Sequence, residues 1–345
     1  MYIPETIQKI KVKGIWICFF FFLFISCKED ENENRISPSS EKVTISFSLN
    51  TAEFVSRAGV KNVDIVNSLS LVVFEFEEVH VSASEYIYHY YAVATLEGEK
   101  YTADIYRSIS DCRIYLIANV DLTNLIRPGN TEAEIHEAVL LAYPGTDEPD
   151  LEYIPMFGMI DMDSGLSADE KIDLGEIPLV RSMASVTVEN KADNFILTSM
   201  QGYRVNTHLQ VIPNSLTDDK VSEPSIPEKS EAILMSKKIA VNEGATKLEG
   251  LYLPESGPVT DVDKQTSEAT CLIIGGRYNG DETETYYRVD FGEKETFGQL
   301  LRNYRYNIVI TKVTGPGTTH PDESGEKNIE YTIDDWNDSA HEIEL

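Results

Sequence analysis

Residues 43–49 read Val-Thr-Ile-Ser-Phe-Ser-Leu: apolar Val43, Ile45, Phe47 and Leu49 alternate with hydroxyl-bearing Thr44, Ser46 and Ser48. Successive side chains of a strand point to opposite faces, so this stretch is a strand with one face in a core. The same reading places strands over residues 68–75, 86–95 and 112–120. One short helix is inserted over 131–142. Thr131 and Glu134 have the spacing of a capping box, and Ile135, Ala138, Val139 and Ala142 share a face. Tyr143-Pro144-Gly145 ends it. A second group of strands starts at Met183, where Ala184, Val186 and Val188 alternate with Ser185 and Thr187, and runs on through Tyr203, Val205, Leu209 and Val211. Residues 213–232 are rich in Pro, Ser, Asp and Glu and read as a surface loop. Further strands fall over 247–253, 269–274, 286–291, 304–313 and 328–333. Many short strands with polar turns between them predict an all-β chain of β-sandwiches. Two groups of strands predict two sandwiches, over residues 43–181 and 182–345.

The N-terminus has a different character. Residues 1–14 carry Lys9, Lys11 and Lys13 with one acid, Glu5, and residues 15–25 are an unbroken apolar run. That run is too short for a spanning helix, which needs about 20 residues, and has the layout of a signal peptide. Ser26 and Cys27 follow directly, an order that resembles a bacterial lipobox and implies cleavage before Cys27 and lipidation of that cysteine. Residues 1–26 are then the signal peptide. Lys28-Glu29-Asp30-Glu31 is similar to the export signal of surface lipoproteins in Bacteroides-type bacteria, and residues 27–42 read as an acidic, flexible tether.

The chain has 345 residues and a formal net charge of −29. Such an excess of acid repels a phosphate backbone, so nucleic-acid binding is excluded. Removing residues 1–26 takes away three lysines and Glu5, leaving 26 basic against 57 acidic residues and a charge of −31. No pair of histidines has i, i+4 spacing and no Cys-x-x-Cys occurs, so neither a metal nor another cofactor is signalled. Gly275-Gly276 lacks the context of a phosphate-binding loop, and no Gly-x-Ser-x-Gly appears. Carboxylates for glycoside hydrolysis are too numerous to single out a pair. The expectation is a protein without a catalytic site. Cys112 and Cys271 remain in the mature chain, either as two core thiols or as a disulfide formed in an oxidising compartment.

Five segments together resemble the fimbrillin (Mfa-like, type V pilus) subunits of Bacteroides-type bacteria. They are the first strand followed by Ser56-Arg57-Ala58; Ile114-Tyr-Leu-Ile-Ala-Asn119; Ile154-Pro-Met-Phe-Gly158 with residues 177–186; Leu251-Tyr-Leu-Pro-Glu255; and residues 301–308, closing with 328–331 and Asp335-Trp336. The resemblance implies two tandem transthyretin-like, Greek-key sandwiches. It also implies a mechanism: export as an outer-membrane lipoprotein, cleavage by a trypsin-like surface protease after an arginine, loss of the first strand, and filling of its groove by a C-terminal segment of a neighbouring pilus subunit. Carried onto this chain, the cleavage site is Arg57, with Arg35 as rival, and the displaced strand holds Val43, Ile45, Phe47 and Leu49. The donor segment is Ile329, Tyr331 and Ile333 with Ile343 and Leu345 beyond. The expected function is a structural subunit of a surface fimbria, as shaft, tip or accessory component in adhesion. The alternatives are a glycan-binding surface lipoprotein with tandem sandwiches and a surface hydrolase.

Overall fold

A computed structural model describes residues 41–51, 64–80, 83–144, 151–166, 171–217, 220–227, 235–321 and 328–337. The first part of the chain forms β1 (Lys42–Thr51), β2 (Leu69–His80), β3 (Ala83–Val93), β4 (Thr95–Glu97), β5 (Lys100–Tyr106), β6 (Cys112–Ala118), helix α1 (Glu132–Ala138), β7 (Leu140–Ala142), β8 (Met156–Met162) and β9 (Ile172–Arg181). The second forms β10 (Met183–Asn190), β11 (Phe195–Tyr203), β12 (His208–Gln210), β13 (Ile239–Ala245), β14 (Lys247–Pro254), helix α2 (Val262–Glu268), β15 (Cys271–Tyr278), β16 (Thr285–Asp290), β17 (Tyr304–Val313) and β18 (Ile329–Asn337).

Eight strands of the first part make one sheet in the order β3-β2-β6-β8-β9-β1-β5-β4. It folds over on itself at β9. Residues Ile172 to Leu179 of β9 run parallel to β1, whereas Val180 and Arg181 pair with Phe157 and Met156 of β8. The two halves enclose Val43, Ile45, Phe47, Ile105 and Leu179 from one side and Leu69, Leu71, Ile114 and Leu116 from the other. The result is a sandwich made from a single sheet. The second part is a sandwich of two four-stranded sheets, β14-β10-β17-β18 and β13-β11-β15-β16. Val186, Val188, Leu197, Met200, Leu272, Ile274, Ile308 and Ile310 fill the space between them. The chain is thus all-β with sandwich sheets, and its leading strands have matching surroundings. β1 lies between antiparallel β5 and parallel β9, as β10 lies between antiparallel β14 and parallel β17.

Three local expectations need correction. The helix begins where its capping box lies: Glu134 N–H donates to Thr131 Oγ1 (3.2 Å) and Thr131 N–H to Glu134 Oε2 (2.8 Å). It stops at Ala138, not Ala142, because residues Leu140 to Ala142 pair with Gln210 to His208 of β12, and a ladder partner outweighs the weak helical preference of one more turn. A second helix, α2, buries no residue, so no apolar periodicity announces it. The strand read through 203–211 is broken at Arg204, whose φ of 54° turns the chain out of the sheet.

Candidate functional site

The candidate site is β1 with the groove that holds it. Ile45 and Phe47 are 0% exposed and Val43 nearly so, and Leu49 packs half-buried against the same cluster. Phe47 stacks on Tyr101 of β5 with ring centroids 6.0 Å apart. On the polar face Thr44 Oγ1 donates to Asp104 Oδ1 of β5 (2.7 Å). Ser46 and Ser48 Oγ donate to the Ile172 and Gly175 carbonyls of β9 (3.5 and 3.4 Å). Leu174 and Gly175 together oppose Phe47, a bulge that Gly175 permits by taking φ 75°. Both edges of β1 are paired, so its departure would open β5 and β9 together along an apolar floor.

β1 connects forward to β2 through residues 52–68, the stretch that contains Arg57. Cys27, Arg35 and Arg57 lie outside the described residues, as do Ile343 and Leu345. The other three residues of the expected donor segment sit in β18, which pairs antiparallel with β17 at the end of its sheet. Ile329 is buried, and Tyr331 and Ile333 pack against the core of their own sandwich. The Tyr331 hydroxyl accepts from the Asp290 amide (3.1 Å) on the facing sheet, and burial raises its pKa.

Two groups that the sequence did not flag stand at the junction between the two parts of the chain. Arg181, fully buried at the end of β9, donates through Nη2 to Asp64 Oδ1 (2.5 Å) and through Nη1 to Asn303 Oδ1 (3.2 Å). Arg302 is buried with Glu255. Its Nε and Nη2 donate to Glu255 Oε2 (2.8 and 2.6 Å), and its remaining N–H groups reach the Val211 and Gln210 carbonyls. Neither contact has a local signature, because each joins residues about a hundred positions apart or forty-odd apart through the fold alone.

A third cluster ties α1 to β6. Arg113 donates to both Asp161 oxygens (2.7 and 3.0 Å) and to Glu132 (2.8 Å), while the Tyr115 hydroxyl contacts Glu132 and lies 3.0 Å from His136 Nε2. It holds a tyrosine, a carboxylate and a histidine together, yet Tyr115 is buried within the β6–α1 packing. Among the described residues no three His, Cys, Asp or Glu side chains are grouped to hold a metal ion. Cys112 and Cys271 are free and buried, and burial pushes both thiols up to about 11, so neither is a ready nucleophile. A cavity of about 710 Å³ lies beside α2, β16 and β18, lined by Gln265, Arg288, Asp290, Phe297 and Tyr331 among others.

No protein-family model matches the chain. Among curated proteins, the major fimbrium tip subunit FimE of Porphyromonas gingivalis is 29% identical over 309 residues, spanning 85% of this chain and 51% of that protein. The chain is thus similar in sequence to a fimbrial tip subunit. It spans about half the length of the curated relatives it matches. The tip fimbrial protein Mfa3 of P. gingivalis, with a C-terminal truncation, shares the fold at a TM-score of 0.53 and 14% identity, over 86% of this chain and 100% of that one. The fimbrilin FimA of P. gingivalis W83 shares it at 0.51 and 18%, over 86% and 97%. The fimbrillin resemblance carried by the five segments is borne out, and with it the sandwich fold.

Proposed function

We propose that this chain is a structural subunit of a cell-surface fimbria that assembles by strand exchange. The observation that carries the reading is β1: a strand paired on both edges and buried to 0% at Ile45 and Phe47, joined to the body through the stretch that contains Arg57. On this reading the chain is exported with a lipid on Cys27 and held in the outer membrane. A trypsin-like surface protease cuts after Arg57, and residues 43–181 and 182–345 act as the two sandwiches of the assembled subunit. Burying a Val, Ile or Phe side chain is worth about 1.5–3 kcal/mol each. Val43, Ile45 and Phe47 together are then worth as much as the net stability of many domains. Cleavage alone therefore leaves β1 in place; a competing strand has to replace its ladders and its side chains. That replacement is strand addition, in which backbone bonds give affinity and alternate side chains fill pockets.

The same logic assigns a position in the filament. The donor residues Ile329, Tyr331 and Ile333 are engaged in the chain's own core. A subunit that keeps them there accepts a strand without donating one and ends the series of exchanges. The tip role in the name of the FimE relative agrees with that position. Such a subunit needs partner subunits and no catalytic machinery of its own.

The test is treatment of the purified chain with trypsin in the presence of a second fimbrial subunit. The expected result is an early cut after Arg57, a body that begins at Ala58, loss of the 43–51 strand and a stable complex. A body that retains its first strand and stays monomeric overturns the exchange mechanism. A second reading, glycan binding, has the polar and aromatic lining of the 710 Å³ cavity in its favour. Polysaccharide binding that is lost on Phe297→Ala, with no partner subunit bound, would favour it instead.

A further inference from the structure

We propose that Asn119 is a positioning residue that fixes the border between the segment that leaves and the body that stays, an inference that rests on the proposed release of β1. Asn119 follows β6 with φ 64°, a left-handed conformation that asparagine tolerates better than most side chains. Its carboxamide uses all of its bonding capacity on backbone. Oδ1 accepts from the amides of Asn67 (2.8 Å) and Ser68 (3.3 Å). Nδ2 donates to the carbonyls of Ile65 (2.9 Å) and Ile154 (2.8 Å), and the Asn119 amide itself donates to the Ser68 carbonyl (2.9 Å). One side chain therefore holds the last residues before β2 against the segment that enters β8.

Asp64 marks the other limit of this clamp, where its carboxylate meets the buried Arg181. Arg181 terminates β9, the parallel neighbour of β1, and is itself tied to Asn303. Residues 64–68 are thus bound to the ends of β6 and β9, and none of these bonds involves β1. A cut at Arg57 lies before this clamp. When β1 departs, the entry to β2 and the end of β9 keep their partners, so one wall of the emptied groove stays in register for an incoming strand. Aspartate would not serve at position 119, because it supplies no N–H donors and sets a negative charge against two carbonyl oxygens.

Amide hydrogen exchange on the full, uncut chain tests the clamp directly. Asn119→Gly keeps the left-handed backbone and removes the carboxamide; Asn119→Asp keeps the shape and removes the donors. In Asn119→Gly the amides of Asn67 and Ser68 are expected to exchange about 10- to 100-fold faster than in the wild type, with β6 and β8 amides unchanged, whereas Asn119→Asp keeps their acceptor and loses only the bonds to the Ile65 and Ile154 carbonyls. After trypsin treatment, a broad-specificity protease is expected to trim the wild-type body no further than Asp64 but to reach the start of β2 in the variants. Unchanged exchange at Asn67 and Ser68 in Asn119→Gly, or identical trimming of wild type and variants, overturns the proposal. If trypsin fails to cut after Arg57 in every version, the assembly reading falls, while exchange in the uncut chain still decides the clamp.

Discussion

His136 shows how a single side chain carries a pH response that its sequence position does not announce. It lies on α1 beside Tyr115, and burial lowers its pKa from 6.5; Glu132 opposes that shift, and Arg113 and Arg302 reinforce it. The folded state therefore disfavours the protonated imidazole. Below about pH 6.5 the unfolded chain binds more protons than the folded one, so stability falls as the pH falls through that window. Urea midpoints measured between about pH 7 and pH 5 are expected to decline in the wild type and to decline less in His136→Gln; equal slopes would remove His136 as the cause. The capping box of this helix was legible, since Thr131 and Glu134 are neighbours in sequence. The cluster around it was not, because Arg113, Glu132 and Asp161 meet only after β6, α1 and β8 have packed.

Among the elements, β1 and β10 have the same neighbours but different freedom. Ser182 alone separates β9 from β10, so β10 cannot leave its sheet without dragging β9 with it. Among the described residues β1 has no such direct link to a neighbouring strand, and its buried face sets how tightly it is held. Ile45→Ala is expected to destabilise the uncut chain by about 2–5 kcal/mol, read from denaturant midpoints. After cleavage the same variant should exchange its strand faster. Val186→Ala in β10 should cost a similar order of stability and leave the rate of strand exchange unchanged. β1 was legible because its alternation is unbroken. β9 was not, because Gly175 interrupts its apolar pattern and fits the strand only through the bulge opposite Phe47. β11 was missed for a related reason. Thr198 and Ser199 sit in the middle of its apolar run, where they serve as donors to Glu284 (2.6 and 2.9 Å).

At the scale of the whole molecule, the two halves of the chain interlock in a way that local patterns do not encode. β7 pairs with β12, and Val211 and Ile212 enter the cluster formed by Phe74, Tyr115 and Phe157. Arg302 holds the Gln210 and Val211 carbonyls from the other side and is neutralised by Glu255. Removing one member of a buried pair leaves a stranded charge, so Glu255→Ala is expected to cost about 3–5 kcal/mol. In calorimetry both halves should then melt earlier together; a shift confined to one transition would show that the junction does not couple them. Charge acts over the same scale. The uncut precursor carries −29, and residues 27–57, with four basic and six acidic residues, carry only −2. On the proposed exchange, loss of residues 1–57 removes little of the acidity, and like-charged bodies would have to approach one another for a strand to pass between them. Raising the salt from about 10 mM to about 100 mM shortens the screening length from about 30 Å to about 10 Å. Complex formation by the cleaved chain with an acidic partner subunit should therefore speed up over that range, measured by light scattering after trypsin is quenched. The rate at which β1 is lost to an uncharged competitor peptide should stay constant, because that step depends on the buried face of β1 and not on the surface charge.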